Sequence, residues 1–189
     1  DISNNIPAGQ KDSTSPSGAW ITPYVIHPTN PNILLAGYKK VYKTTDQGDS
    51  WTAISPELTS YDLNLITIAP SDPNTIYASG TSFEVSTDNG LSFTQITSGV
   101  PTGTQRMALA VSENQPNWVY LLAGGGSGLV GIYRSTDSGT SFVATTTTPN
   151  ILGYQTDGSD TGSQAWYDLV IVADPTDANV IYTGGVNLW

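Results

Sequence analysis

The sequence lacks cysteine altogether and has one histidine and only 6 lysine and arginine residues among its 189 positions. Without cysteine the chain can form no disulfide and perform no thiol chemistry. Its 16 acidic residues give a formal net charge of −10, which is unsuited to nucleic acid because phosphates are bound through lysine and arginine. No run approaches the roughly 20 apolar residues of a membrane-spanning helix, so we expect no membrane insertion.

Helical periodicity is also missing, whereas turn residues are abundant, with 19 Gly and 12 Pro. This composition indicates a β protein. A motif of the form Ser/Thr-x-Asp-x-Gly-x-x-aromatic occurs three times, as TTDQGDSW from Thr44, STDNGLSF from Ser86 and STDSGTSF from Ser135. Its aspartates are separated by 42 and 49 residues (88 − 46 and 137 − 88). Recurrence at such an interval predicts a repeat architecture.

Each copy of the motif is predicted to form a hairpin turn. The aspartate accepts hydrogen bonds from backbone N–H groups one or two residues ahead, and the glycine adopts a positive φ. The aromatic residue anchors the strand that follows. The structural residues of the three motifs are therefore Asp46, Gly48, Trp51, Asp88, Gly90, Phe93, Asp137, Gly139 and Phe142.

A second pattern precedes each motif and consists of an apolar strand, a Pro/Asp/Asn turn and another strand that ends in glycine. It occurs four times, beginning at His27, Ala69, Val111 and Ala173. One unit therefore contains four strands. Trp189 falls at the position that Tyr42 and Tyr133 occupy in earlier units.

Together these patterns resemble the Asp-box (BNR) repeats of β-propellers, a superfamily that includes sialidases, the sortilin ectodomain and xyloglucanase-type glycoside hydrolases. The resemblance implies an all-β fold, a partial β-propeller with about three and a half four-stranded blades. Residues 1–189 would form a single domain, in which residues 1–8 form the outer strand of a preceding blade. Blades one to three would occupy 20–56, 61–97 and 105–146, and an incomplete blade four would occupy 166–189.

An incomplete propeller leaves a strand edge open, so we expect the rest of a larger chain, or another protein chain, to complete it. The segments HPTNPN and YKTTDQGDSW are similar in sequence to segments of large secreted surface proteins of gliding-type bacteria exported by type IX secretion. This similarity implies an extracellular or cell-surface location.

In propellers, the loop before each innermost strand tends to face the central funnel, where ligands bind. The corresponding positions are Trp20, Tyr61–Asp62, Thr104–Arg106 and 166–168, and the innermost strand of blade four is expected to begin at Tyr167. Aromatic rings at such a rim stack on sugars or anchor a partner protein, although they also fill gaps between blades. The candidate ligand-binding residues are Trp20, Tyr61, Trp166 and Tyr167.

Carboxylates at the same rim suggest a second kind of site. Glycoside hydrolases use two carboxylates about 5–9.5 Å apart, and Asp62 and Asp168 occupy matching positions two blades apart. They would be the catalytic pair of a xyloglucanase-like enzyme. The resemblance to sialidases implies a clamp of three arginines, but this chain holds only Arg106 and Arg134.

Two loops have residue patterns typical of ligand cradles. Asp157 and Asp160 lie within an insertion over 149–164 and could supply oxygen ligands to Ca²⁺, but the bidentate glutamate of an EF-hand is missing, which favours a polar loop. The glycine-rich segment 124–131 is not followed by a helix, so we interpret it as a mobile hairpin tip rather than a phosphate loop.

The sequence thus predicts a non-catalytic Asp-box propeller module of a large secreted or cell-surface protein, which binds protein or glycan and needs no cofactor. The alternatives are a xyloglucanase-like hydrolase, which uses the carboxylate pair, and a propeller that serves only as a spacer.

Overall fold

The computed structural model describes Ile6, residues 22–58, Leu63 and residues 65–189. These residues contain fourteen β-strands and no helix. The strands are β1 (Tyr24–Ile26), β2 (Leu34–Gly37), β3 (Val41–Thr44), β4 (Thr52–Ala53), β5 (Leu65–Ala69), β6 (Asp72–Ser79), β7 (Phe83–Ser86), β8 (Thr94–Gln95), β9 (Arg106–Val111), β10 (Val119–Gly125), β11 (Gly128–Ser135), β12 (Val143–Thr146), β13 (Val170–Ala173) and β14 (Ile181–Gly184).

The chain divides into two compact units, one formed by 1–80 with 84–95 and the other by 81–83 with 96–189. In the first unit, β1–β4 form one four-stranded sheet and β5–β8 form another, apart from Phe83, which belongs to the second unit. In the second unit, β9–β12 form a four-stranded sheet and β13 pairs with β14. Each sheet follows chain order, because short turns join sequential antiparallel strands.

Residues after β14 begin a third strand beside it. Trp189 and Thr183 exchange backbone hydrogen bonds of 2.8 and 3.0 Å, and Gly184 bridges to Leu188. Tyr42 is paired in the same way with Ala36. The position predicted for Trp189 within the repeat is therefore confirmed.

Apolar side chains form separate cores in the two units. In the first unit, one cluster joins the sheets β1–β4 and β5–β8 through Leu35, Val41, Ile66 and Ile76. In the second unit, the cluster joins β9–β11 to β13 and includes Leu122, which is fully buried. Burying such a side chain stabilises the fold by about 1.5–3 kcal/mol.

All three Asp-box turns have the same geometry, which differs in one respect from the prediction. Asp137 Oδ1 accepts a hydrogen bond from the backbone N–H of Ser141, four residues ahead, at 2.9 Å rather than from one or two residues ahead. The buried Ser135 hydroxyl donates to Asp137 at 2.7 Å and accepts from Gly139 N at 2.8 Å. The hydroxyl residue that opens each motif (Thr44, Ser86 or Ser135) is therefore as important to the turn as the aspartate.

The glycines of the motif adopt the positive φ that was predicted, with φ 81° at Gly139. The residue before each glycine is also left-handed, although none of them is glycine: φ is 61° at Gln47, 62° at Asn89 and 58° at Ser138. A non-glycine residue in this region costs roughly 1–2 kcal/mol. The hydrogen bonds of the aspartate and serine offset this cost.

These hydrogen bonds lower the pKa of all three motif aspartates from 3.8 to about 2. The largest contribution comes from the serine four residues ahead for Asp46 and Asp88, and from Ser135 for Asp137. Because the folded pKa is depressed, the carboxylates contribute their stability above the unfolded pKa and lose it as the pH falls through about 2.

We therefore expect acid to destabilise the protein between about pH 4 and pH 2. Changing the aspartates at 46, 88 and 137 together to asparagine should reduce the dependence of the unfolding midpoint on pH in this range. Thermal unfolding midpoints measured from pH 6 to pH 1.5 test this. Glu113→Gln, which removes an exposed carboxylate outside the motifs, is the control and should leave the profile unchanged. A triple variant with the acid sensitivity of the unmodified protein would contradict the assignment.

Candidate ligand-binding site

The predicted site residues fall into two groups. Trp20, Tyr61 and Asp62 lie outside the described residues. Trp166, Tyr167 and Asp168 are described, and they form a turn rather than the start of a strand, since β13 begins only at Val170. The predicted beginning of this strand at Tyr167 is therefore wrong. We call residues 165–168 the aromatic turn.

The aromatic turn exposes two large rings side by side. Trp166 is 62% exposed and Tyr167 43% exposed. Their ring centroids are 5.5 Å apart and the planes are inclined by 42°. Exposed aromatic pairs are enriched at binding sites, because a rigid ring offers a large contact area at a low cost in conformational entropy.

The backbone of the aromatic turn is fixed from its N-terminal side. Gln164 O accepts hydrogen bonds from Tyr167 N at 2.7 Å and from Asp168 N at 3.1 Å. The Ser163 hydroxyl donates to Gly125 O at 2.9 Å, at the end of β10. Ala165 is buried directly against Gly124, where a Cβ would lie 2.3 Å from the Ala165 Cβ.

Arg106 fixes the other side of the turn. Its Nη1 donates to Tyr167 O at 2.8 Å and to Trp166 O at 3.3 Å. The side chain is 8% exposed, and its Nε has no hydrogen-bond partner among the described residues. Burial lowers the pKa of Arg106, and the charge of Asp168 opposes this shift.

Sequence reasoning assigned Arg106 no role at this site. It did place Thr104–Arg106 and 166–168 at equivalent positions of neighbouring repeats, which is the signal that could have brought them together. A contact between an arginine and backbone carbonyls leaves no residue-type signature in the sequence. The structure was therefore required to identify it.

Beside the aromatic turn, the insertion over 149–164 is partly a core element. Ile151 and Leu152 are buried in the apolar cluster of the second unit. Asp160 accepts hydrogen bonds from the backbone of Tyr154 at 2.8 Å, and Asp157 accepts from Ser159 N at 3.0 Å. Both carboxylates thus stabilise the conformation of their own loop.

The glycine-rich segment 124–131 is much more regular than expected. Strand β10 continues to Gly125 and β11 starts at Gly128, so the tip is reduced to Gly126 and Ser127. Asn150 ties this hairpin to the insertion, because its Oδ1 accepts from Leu129 N at 2.8 Å. The interpretation as a hairpin is confirmed, but the tip between the two strands is shorter than predicted.

One face of the β13–β14 sheet is apolar and exposed. It carries Val170, Val172 and Tyr182, which are 49%, 53% and 50% exposed. Tyr182 occupies the repeat position of Tyr77 and Tyr120, which are only 1% and 3% exposed. Within the second unit, the face that carries Tyr120 packs against β13.

Comparison with known protein families identifies the family to which the chain belongs. Residues 39–170, more than half of the chain, match the profile of the Sortilin-Vps10 family, described as sortilin, neurotensin receptor 3. The chain belongs to this family. It is also 25% identical, over an alignment of 188 residues, to a probable oligoxyloglucan-reducing end-specific xyloglucanase of Neosartorya fischeri. That alignment covers 88% of this chain and 21% of the relative.

Solved structures establish the fold. An ancestral GH74 enzyme is similar with a TM-score of 0.66 at 18% identity, over 91% of this chain and 24% of that one. The GH74 enzyme of Niastella koreensis has a TM-score of 0.53 at 23% identity, over 88% and 23% of the two chains. YCF48 from Cyanidioschyzon merolae has a TM-score of 0.51 at 18% identity, over 93% and 56%.

The predicted Asp-box β-propeller fold is therefore confirmed, and the four-stranded sheets are its blades. This propeller segment spans about a fifth of the xyloglucanase and about a quarter of the two GH74 enzymes. No described residue belongs to a helix that is long and apolar enough to cross a membrane.

Proposed function

We propose that the chain is part of a non-catalytic β-propeller module of a large secreted or cell-surface protein, and that it binds a glycan or protein through the aromatic turn. The observation that carries this proposal is the exposed pair Trp166 and Tyr167. Its backbone is held by Gln164, Ser163 and Arg106, so the main chain that presents the rings is in place before a ligand arrives. Such preorganisation reduces the entropic cost of binding.

The charges near the turn favour a ligand without negative charge. The Arg106 guanidinium is buried beneath the turn, and two backbone carbonyls occupy its Nη1. Asp168 adds a carboxylate to the turn itself, and the formal charge of the chain is −10. A neutral glycan satisfies these conditions, since sugar rings stack on aromatic faces and bring no anionic group.

Trp166→Ala and Tyr167→Ala are each expected to weaken binding of a neutral ligand about 30-fold, because truncation of a central aromatic residue costs about 2 kcal/mol or more. Calorimetric titration of the intact protein with xyloglucan oligosaccharides measures this. Val143→Ala, which shortens a side chain that is 72% exposed on β12, is the matched control and should bind normally.

If the unmodified protein binds no neutral oligosaccharide, a glycan ligand is excluded and a protein ligand is the remaining proposal. Cross-linking from position 166 would then identify that protein. Normal binding by both aromatic variants would overturn the proposal for this turn. If neither variant affects glycan or protein binding but both lower the unfolding midpoint, the rings only support the fold.

Similarity to a xyloglucanase favours one alternative function, a glycoside hydrolase that uses Asp62 and Asp168. Release of reducing ends from xyloglucan, measured for the intact protein, for Asp62→Asn and for Asp168→Asn, tests it. Loss of activity in both variants would show that the protein is a hydrolase and would overturn the proposal of a non-catalytic module. Undiminished activity in both would eliminate this pair.

We propose Ca²⁺ as a ligand of Asp157 and Asp160, which predicts a higher unfolding midpoint of the protein when Ca²⁺ is added.

We also propose that the exposed face formed by Val170, Val172 and Tyr182 packs against a further blade, from the rest of a larger chain or another chain. The burial of Tyr77 and Tyr120 at the equivalent position supports this arrangement. Tyr182→Lys should then lower the unfolding midpoint of the intact protein, and an unchanged midpoint would contradict it.

The secreted or surface location, including type IX export, is tested by protease treatment of whole cells.

A further inference from the structure

We propose that Arg106 is a positioning residue, which holds the aromatic turn in its binding conformation from the first position of β9. This inference rests on the proposed binding function of Trp166 and Tyr167. Arg106 lies 60 residues away from Trp166 in the sequence but bonds to its carbonyl, and to the next one, through a single nitrogen. It therefore connects β9, the first strand of its sheet, to the turn that precedes β13.

Two successive carbonyls bound to one donor define the direction of the chain between them. Tyr167 O lies 2.8 Å and Trp166 O 3.3 Å from Arg106 Nη1. With both oxygens fixed, the peptide plane between Trp166 and Tyr167 is also fixed, and with it the directions in which the two side chains leave the backbone. The inclination of 42° between the rings depends in addition on the side-chain torsions of Trp166 and Tyr167.

Burial of a cation costs several kcal/mol unless its partners compensate it. Arg106 is 8% exposed, and among the described residues its hydrogen bonds go to backbone carbonyls, its Nε has no partner, and the charge of Asp168 acts on it without a direct ion pair. An apolar side chain would fill the same space at lower cost. An arginine at this position is accounted for by the geometry that it imposes on the carbonyls.

Lysine cannot reproduce this geometry fully, because its ammonium rotates freely at the end of a flexible stem, whereas the N–H groups of Nη1 are held in the plane of the guanidinium. Arg106→Lys should therefore keep the charge but loosen the turn, and Arg106→Gln should lose both. Arg134 provides a matched control in the same sheet. Its guanidinium stacks 4.4 Å from the centre of the Trp118 ring and is not bonded to the aromatic turn.

Hydrogen exchange without any ligand tests the positioning role. The amides of Tyr167 and Asp168, which are bonded to Gln164 O, should exchange at least tenfold faster in Arg106→Gln. They should show an intermediate increase in Arg106→Lys and no change in Arg134→Gln. Amides of the β9–β10 ladder should keep their protection in all three variants.

Affinity for the xyloglucan oligosaccharide should fall about tenfold in Arg106→Gln, less in Arg106→Lys and not at all in Arg134→Gln. Unchanged exchange at Tyr167 and Asp168, or a uniform loss of protection across the second unit, would overturn the positioning role. If Arg106→Gln does not fold, Arg106→Lys decides by the same two readouts. Since exchange is measured without ligand, it also tests Arg106 if the proposed binding function fails.

Discussion

Replacing Gly99 by alanine is expected to lower the free energy of unfolding by about 3 kcal/mol. Gly99 has a φ of +70°, and a Cβ there would lie 1.8 Å from the carbonyl oxygen of Phe142. The neighbouring Ser98 O accepts a hydrogen bond from Phe142 N at 3.0 Å. The new methyl group would therefore push the backbone of the third Asp-box away from the turn that it is bonded to.

Gly103→Ala separates the steric part of this effect from the backbone part. Gly103 has nearly the same φ, +73°, but nothing lies within 4 Å of the place where its Cβ would be. We expect a loss of only about 1 kcal/mol, which is the cost of the left-handed conformation alone. Urea denaturation of both variants measures the difference. Equal losses in the two variants would show that the contact with Phe142 O contributes nothing.

The repeat architecture could be predicted from the sequence because each Asp-box turn is made by residues within eight positions of one another. Thr44, Asp46 and Gly48 illustrate this, since the Thr44 hydroxyl bonds to both of the others at 2.6 and 2.9 Å. Local hydrogen bonds of this kind require particular residue types at fixed offsets. Those residue types are what the sequence pattern records.

Elements whose conformation depends on distant contacts were predicted less well. The segment 124–131 contains five glycines, which favour a loop, yet β10 and β11 extend through most of it. Asn150 and Ser163 bond to this hairpin from the insertion, and Gly124 leaves room for Ala165. Tertiary contacts from the insertion therefore override the local preference.

The candidate site shows the same division. Trp166 and Tyr167 were predicted because they stand at a fixed place before a strand, which the repeat makes visible. The backbone that presents them is held by Arg106 and Ser163, whose partners at the turn are main-chain groups. Any residue type can supply a carbonyl, so nothing at positions 166 and 167 indicates that an arginine is needed.

Phe142→Ala is expected to lower the free energy of unfolding by about 3–5 kcal/mol, because it removes a buried aromatic side chain and leaves a cavity. Phe142 is 4% exposed and meets Phe83 edge to face, with ring centroids 5.0 Å apart and planes at 82°. Phe93 occupies the same position of the preceding Asp-box but is only half-buried, so Phe93→Ala should cost about 1–2 kcal/mol. Urea denaturation monitored by far-UV circular dichroism compares the two variants. If the aromatic residue of the Asp-box stabilised only its own turn, both variants would lose the same free energy of unfolding. A larger loss for Phe142→Ala would show that this residue stabilises the protein mainly through its burial in the core.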